Sequence, residues 1–574
     1  MKVNKSIQIR TRILCGVFVV FALIIATRLY FVQIVHGDDY AREARGQYVE
    51  EHSDQDSRGS IFFTRKDGGL VAGAVMQTGW RIAIHPADIV DAQHTYTALK
   101  TITPIDKVKF MSSTSKKNDP YEEIAIRLSD DIATAVRALK LPGVLLVRDQ
   151  WRNYPGGELG SQSIGFVGYQ GDTKTGINGL EKQYQDTLAL STTGLYINPF
   201  AEIFSNLSDA VTTDPASRRG SIVTTIEPSV QAQLEKVLGS VMRKYSPDFD
   251  GGIIMDPHTG AILAIAGKPS FDPNTYNTID NPVFFQNKLV EGRYELGSIM
   301  KALTMAAGID SKAVSLSTTY NDTGCIEKSG KKVCNFDFRA RGVIPMQEIL
   351  NQSLNVGATF VADTMGHPTQ TKYMRAYGFG EKTGIDLPNE VSGDLSPLGD
   401  GTGPDVNYAT ASFGQGVSVS PIEMARALAT LANGGVLPSP HFVTAVQYQS
   451  GITRTLTIPQ GVRVLATSTA ETVTNMLIHV VDTSLLKGAL KQEHYSIAAK
   501  TGTAQIPAKG GGYLPPGTYL HSFFGYFPAH DPRFIVFLFA YKPHGQEYAS
   551  ATLAHPFLDI AQFLINYYNL PPDR

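Results

Sequence analysis

Tyr294-Glu295-Leu296-Gly297-Ser298-Ile299-Met300-Lys301-Ala302-Leu303-Thr304-Met305-Ala306-Ala307 is the stretch on which the reading turns. Gly297 marks a turn, and the apolar run after it reads as a buried helix that opens at Ser298. A helix start presents unpaired N–H groups and the positive end of the macrodipole, both of which favour negative charge developing on a hydroxyl. Residues three apart share a helix face, so the Lys301 amine reaches the Ser298 hydroxyl. Burying the helix desolvates Lys301 and lowers its pKa, which suits a lysine to act as a base.

Ser-x-x-Lys alone is a weak signal, since it recurs at Ser113/Lys116, Ser329/Lys332 and Ser484/Lys487. Ser113 lies in a polar run, 112–117, that reads as loop, and Ser329 lies in a polar turn beside Gly330. Ser484 is the best rival because Leu485 and Leu486 follow it, but no glycine precedes it. Downstream of Ser298 stands Ser353-Leu354-Asn355, and Lys-Thr-Gly begins at Lys174, Lys382 and Lys500. Lys174 and Lys382 sit in glycine-rich turns. Lys500 instead follows Ile497-Ala498-Ala499 and precedes Thr503-Ala504-Gln505, a small-residue strand whose backbone can pair with an extended peptide. The candidate set is Ser298, Lys301, Ser353 and Asn355 for catalysis, with Lys500, Thr501, Gly502 and Thr503 for substrate binding. Taken singly each has a plainer reading: Ser298 as a helix cap, Asn355 as a loop hydrogen-bonder, Lys500 as a surface lysine. Their order and contexts together carry the assignment.

Around this set the segments read as an α+β domain. Ile222–Ile226 reads as a strand, Pro228 as the first position of a helix towards Tyr245, and Gly251–Gly267 as a hairpin turning at Asp256–Gly260. Helices are predicted after Ser298, over Ile422–Ala432 and over Leu553–Tyr568, with late strands at Ser522–Phe527 and Phe534–Tyr541. Upstream, Arg58-Gly59-Ser60-Ile61 opens a β-rich region in which Asp119–Leu139 looks helical. It holds no dense group of catalytic residue types and reads as a pedestal. Ile13–Ala26 is apolar and Leu29–Val35 nearly so, with Lys2, Lys5, Arg10 and Arg12 before them. As a helix, 13–35 would be about 34 Å long. The expected organisation is a cytoplasmic tail over 1–12, a transmembrane anchor over 13–35, a pedestal over 36–216 and a catalytic domain over 217–574. The basic flank places the rest of the chain outside the membrane.

The bulk composition fits this layout. The 574 residues are 43% hydrophobic and 18% charged with a net charge of −2, so no single-sign field invites nucleic acid. Three cysteines, Cys15, Cys325 and Cys334, make neither a disulfide scaffold nor a zinc cluster. Cys325 and Cys334 flank the Gly330 turn of a hairpin-like segment. They read either as one disulfide in an oxidising exterior or as two free thiols.

With these motifs in place, the sequence resembles the class B penicillin-binding proteins, the monofunctional peptidoglycan transpeptidases. The likeness extends to Arg58-Gly59, Arg152-x-Tyr154-Pro155, Gly165-Phe166-Val167-Gly168 and Gly176-x-x-Gly179-Leu180-Glu181 in the pedestal. It continues through Asp256-Pro257, Pro269–Asn274, Gly378-Phe379-Gly380, Gly414-Gln415-Gly416 and Pro421. The sequence departs from the family at Leu296, where proline is usual, and at Ile299-Met300, where Thr-Phe is usual. Lys500–Gln505 followed by Ser522–Pro528 resembles the septal branch more than the elongation branch.

The resemblance implies a penicillin-binding, serine β-lactamase-like fold and cross-linking of stem peptides ending in D-Ala-D-Ala through a serine acyl-enzyme. It implies an oxyanion hole from the N–H groups of Ser298 and Thr503, a proton relay through Ser353, and a peptide carboxylate held by Lys500, Thr501 and Thr503. It implies no metal or cofactor, β-lactams as inhibitors, and a polytopic membrane glycosyltransferase and division proteins as partners. The implied place is the bacterial cytoplasmic membrane, with a single-pass anchor and an extracytoplasmic catalytic domain. An elongation-specific transpeptidase, a D,D-carboxypeptidase and a β-lactam sensor are the alternatives.

Overall fold

The computed structural model describes residues 57–171, 173–190, 219–449 and 451–574, together with Gly16, Val20, Phe21, Leu23, Ile25, Thr27 and Arg28. Two compact units emerge. Of the described residues, 57 and 77–151 with the seven amino-terminal positions fall in one, and 58–76, 152–171, 173–190, 219–449 and 451–574 fall in the other.

In the first unit, Trp80–Ile84 pairs antiparallel with Glu122–Leu128. Ile82, Ile84 and Ile124 face the helices Ala92–Lys100 and Lys107–Ser115 through Tyr96, Leu99 and Phe110. Asp91 and Asp106 cap these helices by accepting from the N–H groups of His94 and Lys109. Asp119–Leu139, expected to be helical in character, divides into the strand Glu122–Leu128 and the helix Asp130–Ala138, with Ser129 as the cap between them. Ser113, expected in a loop, ends a helix instead, because buried Phe110 anchors that polar run. Its hydroxyl donates to Glu122 Oε2 at 2.7 Å, and Lys116 pairs with the same carboxylate.

The second unit is built on a five-stranded antiparallel sheet. Its strands are β1 (Phe249–Met255), β2 (Ile262–Lys268), β6 (Ala498–Gln505), β7 (Tyr519–Phe527) and β8 (Phe534–Tyr541). They run in the order β6-β7-β8-β1-β2. Among the short strands between β2 and β6 are β3 (Thr319–Asp322), β4 (Cys325–Lys328) and β5 (Lys331–Cys334). β1 and β7 read as continuous buried runs, the pattern of a sheet covered on both faces. Helix α1 (Pro228–Tyr245) packs on β2 and on α6 (Ala549–Tyr568), which lies against β7. A second group covers β6 and β8: α2 (Met300–Asp310), α3 (Asn355–Met365), α4 (Pro421–Ala432) and α5 (Thr467–His479). The expected α+β architecture is present. Pro228 stands at the first position of α1, and the 251–267 hairpin is β1 with β2.

The membrane anchor is a correction. Among the described residues no helix is long and apolar enough to cross a membrane. The transmembrane span over 13–35, its cytoplasmic tail over 1–12 and the single-pass placement of the chain are therefore not retained. Within that span only the seven positions named above are described, all helical, and the rest lies outside the described residues. The physical reason is length. As a helix, the unbroken apolar run Ile13–Ala26 would be about 21 Å long, against a hydrocarbon core of about 30 Å. Reaching across the core meant counting through Thr27 and the charge of Arg28. Thr27 turns its hydroxyl back to donate to the Leu23 carbonyl at 2.7 Å.

Within the second unit, Arg58, Arg152 and Glu181 form one cluster of charged side chains almost wholly out of water. Glu181, fully buried, accepts from Arg58 Nε at 2.5 Å and from Arg152 Nε at 2.7 Å. Arg152 also donates to the Gly59 carbonyl, and Tyr154 Oη donates to Glu181. Removing the carboxylate strands two buried guanidinium groups. Glu181→Ala is expected to lower the unfolding free energy by about 3–5 kcal/mol, measured by denaturant titration. A loss under about 1 kcal/mol, the range of an exposed pair, would show that solvent reaches the cluster.

Candidate active site

All eight candidate residues lie in the second unit; hydrogen bonds join Ser298, Lys301, Ser353 and Lys500, and Thr501, Gly502 and Thr503 follow Lys500 along β6. Ser298 sits in the single 3-10 turn Gly297–Ile299 that leads into α2. Gly297 has φ +69°, a left-handed value that favours glycine, and its N–H donates to the Gly414 carbonyl at 3.0 Å. Leu296, Ile299 and Met300, the departures from the family pattern, are all buried in the core behind the turn.

One turn along, Lys301 is 1% exposed, and its Nζ donates to Ser298 Oγ at 2.9 Å. The same nitrogen donates to the Ser353 carbonyl at 2.6 Å and lies 3.2 Å from Ser353 Oγ. Lys500, 2% exposed on β6, donates to Ser353 Oγ at 3.0 Å. The Ser353 hydroxyl thus stands between two buried lysines, one of which also holds Ser298. Burial, helped by the positive charge of Lys500, drives the Lys301 pKa well below its ordinary value. Burial alone brings Lys500 down to about 7.

β6 is the terminal strand of the sheet. One edge pairs with β7, and the other runs along the Gly297–Ile299 turn. A Cβ on Gly502 would come within 2.3 Å of Ser522 Oγ and 2.7 Å of the Leu296 carbonyl, so glycine is required where strand and turn meet. Ser522 ties the two together by donating to that carbonyl at 2.7 Å. Thr501 and Thr503 are half-buried, and Thr503 Oγ1 accepts from the Ala549 N–H at 3.1 Å. Asn355 stands at the start of α3, where its Nδ2 donates to the Cys334 carbonyl at 2.9 Å rather than to Ser298 or either lysine. Cys334 is itself bonded to its cross-strand neighbour Cys325, with Cα atoms 4.1 Å apart.

The rival motifs are elsewhere. Ser484 is half-buried and shares its hydroxyl with Thr483. Thr383 and Gly384 serve a buried loop carboxylate, Glu390. Sequence reasoning passed over Ser522 and Gly414 as site-building residues. Both stood inside recognised runs, Ser522–Phe527 and Gly414–Gly416, but nothing local says that they reach the Leu296–Gly297 turn.

Residues 251–562 match the penicillin binding protein transpeptidase domain, and residues 54–194 match the penicillin-binding protein dimerisation domain. The chain belongs to the class B penicillin-binding protein transpeptidases. It is a serine-type peptidoglycan D,D-transpeptidase resembling the septal enzymes, consistent with cross-linking in cell division. With the family come peptidoglycan as substrate and β-lactams as ligands. It is 29% identical over 562 residues to Stage V sporulation protein D of Bacillus subtilis, covering 96% of this chain and 84% of that one. It is 25% identical over 572 residues to peptidoglycan D,D-transpeptidase FtsI of Escherichia coli K12, covering 98% and 92%. Penicillin binding protein 2X from Streptococcus thermophilus shares the fold with a TM-score of 0.71 at 21% identity, over 90% of this chain and 80% of that one.

Between about pH 7 and the ordinary 10.5, native Lys500 holds fewer protons than it does unfolded. Its contribution to stability therefore rises as pH climbs through that window. Lys500→Met removes a positive charge next to Lys301 and so raises the Lys301 pKa. The acid limb of the acylation pH–rate profile is expected to move to higher pH, whatever happens to its amplitude. An unmoved limb, measured by stopped-flow with a fluorescent penicillin, would show that the two amines are electrostatically independent.

Proposed function

We propose that Ser298 is the acylated nucleophile of the transpeptidation and Lys301 its general base. The observation that carries this reading is the Lys301 Nζ bridging Ser298 Oγ at 2.9 Å and Ser353 Oγ at 3.2 Å. Neutral Lys301 takes the Ser298 proton as Oγ attacks the carbonyl carbon between the two terminal D-Ala residues. The N–H groups of Ser298 and Thr503 receive the oxyanion, a contact typically worth about 10²–10³ in rate per donor. The lysine-bound proton passes through Ser353 to the departing D-Ala amine, and the acyl group stays on Ser298 as an ester. An amine of a neighbouring stem then attacks that ester, forms the cross-link and returns the proton to Ser298. Lys500, Thr501 and Thr503 hold the terminal carboxylate, with Gly502 letting their strand lie close against the Ser298 turn. Asn355 contacts the donor peptide.

Residues 217–574 carry this chemistry and 36–216 form the pedestal, a division supported by where the two domain matches fall. Cross-linking acts on glycan strands made by a polymerising enzyme. A polytopic membrane glycosyltransferase of the division type is the partner this reading calls for, along with the division proteins around it.

A labelled penicillin incubated with the protein and then digested is expected to mark the peptide that contains Ser298. Ser298→Ala should abolish the label while leaving the melting temperature within a few degrees, because the Ser298 side chain caps no helix. Label on the peptide containing Ser484 would reassign the nucleophile.

A further inference from the structure

Helix α3 has no cap from its own flank, since Leu354 offers no side-chain acceptor. The acceptor comes from a distant segment. Asn335 Oδ1 takes the Val356 N–H at 3.1 Å, satisfying one of the helix's orphan donors. Asn335 is 1% exposed. Its Nδ2 donates to both carboxylate oxygens of Asp322, at 2.9 and 3.1 Å. Asp322 is fully buried at the end of β3 and also accepts from the Arg341 N–H at 3.1 Å. One residue before Asn335, the Cys334 carbonyl accepts from Asn355 Nδ2. Residues 334 and 335 therefore grip residues 355 and 356 at two points.

Just before that grip stands Ser353, at φ +55°. A serine disfavours this left-handed conformation, so the surroundings must impose it. Its hydroxyl meets Lys500 at 3.0 Å and Lys301 at 3.2 Å, distances that a small rotation of the turn would break. Only an amide at 335 suits both neighbours. Its oxygen accepts from the helix and its nitrogen donates to the carboxylate, whereas an aspartate there would set two buried carboxylates together.

We propose that Asn335, oriented by Asp322, is a positioning residue for the reaction: by capping α3 from outside, it holds the Ser353 hydroxyl between Lys301 and Lys500. The proposal rests on the reading of Ser353 as the proton relay. It assigns a kinetic role to a buried pair that touches neither the substrate nor the reacting atoms.

The test is acylation of the full chain by a fluorescent penicillin, resolved into the dissociation constant of the first complex and the rate of acylation. Asn335→Ala is expected to slow acylation by about 10²-fold, the scale of a catalytic group misplaced by about an ångström, with little change in the dissociation constant. The acid limb of the pH–rate profile should move as well, because Lys301 loses a contact. In a Ser353→Ala background the same substitution should cost nothing further. A wild-type rate and profile with only a lower melting temperature would make Asn335 a structural cap and overturn the proposal, as would an undiminished loss in the Ser353→Ala background. If Asn335→Ala does not fold, Asp322→Asn takes its place, with a smaller loss expected under the same coupling rule and the same overturning results. Ser353→Ala acylating at the wild-type rate overturns the relay reading and this inference with it. Slow Ser353→Ala beside a wild-type rate for the positioning variant overturns the inference alone.

Discussion

The structure depends on one hydroxyl shared by two lysines that have been taken out of water. An isolated buried ammonium is costly, and the usual release is to give up its proton. Here two stand within hydrogen-bond reach of Ser353 Oγ, and none of the ion pairs among the described residues involves either of them. With no carboxylate to hold their charges, burial and mutual repulsion both push towards the neutral amine. A neutral amine beside a serine hydroxyl is a base. The same environment that penalises the native state at low pH is what equips the site for chemistry.

Much of the surrounding architecture keeps that arrangement in register. The sheet places Lys500 on a terminal strand, so its side chain points into the helical layer while the strand keeps one backbone edge beside the Gly297–Ile299 turn. That turn is held from two sides, by the Gly414 carbonyl on the Gly297 N–H and by Ser522 on the Leu296 carbonyl. The close approach works only because Gly502 has no side chain. Thr503 is fixed from behind, where the Ala549 N–H at the start of α6 donates to its hydroxyl. His521, its cross-strand neighbour, is buried between Thr552 and the Glu547 carbonyl, and burial lowers its pKa to about 4. It therefore brings no second titration into the range where the lysines change charge.

The features legible in the sequence were those that local chemistry dictates. Gly297 before an apolar run announced the turn and helix of Ser298, and small residues around Lys500 announced a strand with room beside it. Pro228 and the Asp256–Gly260 turn fixed α1 and the β1–β2 hairpin in the same way. The contacts that complete the site were not legible, because they join residues far apart in the chain whose own neighbourhoods are ordinary. Ser522 lies 226 residues from Leu296, and Asn335 reaches Val356 across 21. Ser113 was misread for the opposite reason, since a polar run became a helix once Phe110 found a core to enter. The amino-terminal span rested on hydropathy summed across Thr27 and Arg28, and among the described residues no helix is long and apolar enough to cross a membrane.

A base must be neutral at the pH where the enzyme works, and NMR reads the charge of Lys301 without passing through catalysis. The protein would be labelled with ¹³C at lysine Cε, and the Lys301 resonance assigned by its loss in Lys301→Met. Following that resonance across pH should show a titration completed well below 10.5, the ordinary value for lysine. A Lys301 signal that stays in its charged position up to pH 10 would contradict the account, because a permanently protonated lysine can anchor Ser298 but cannot take its proton.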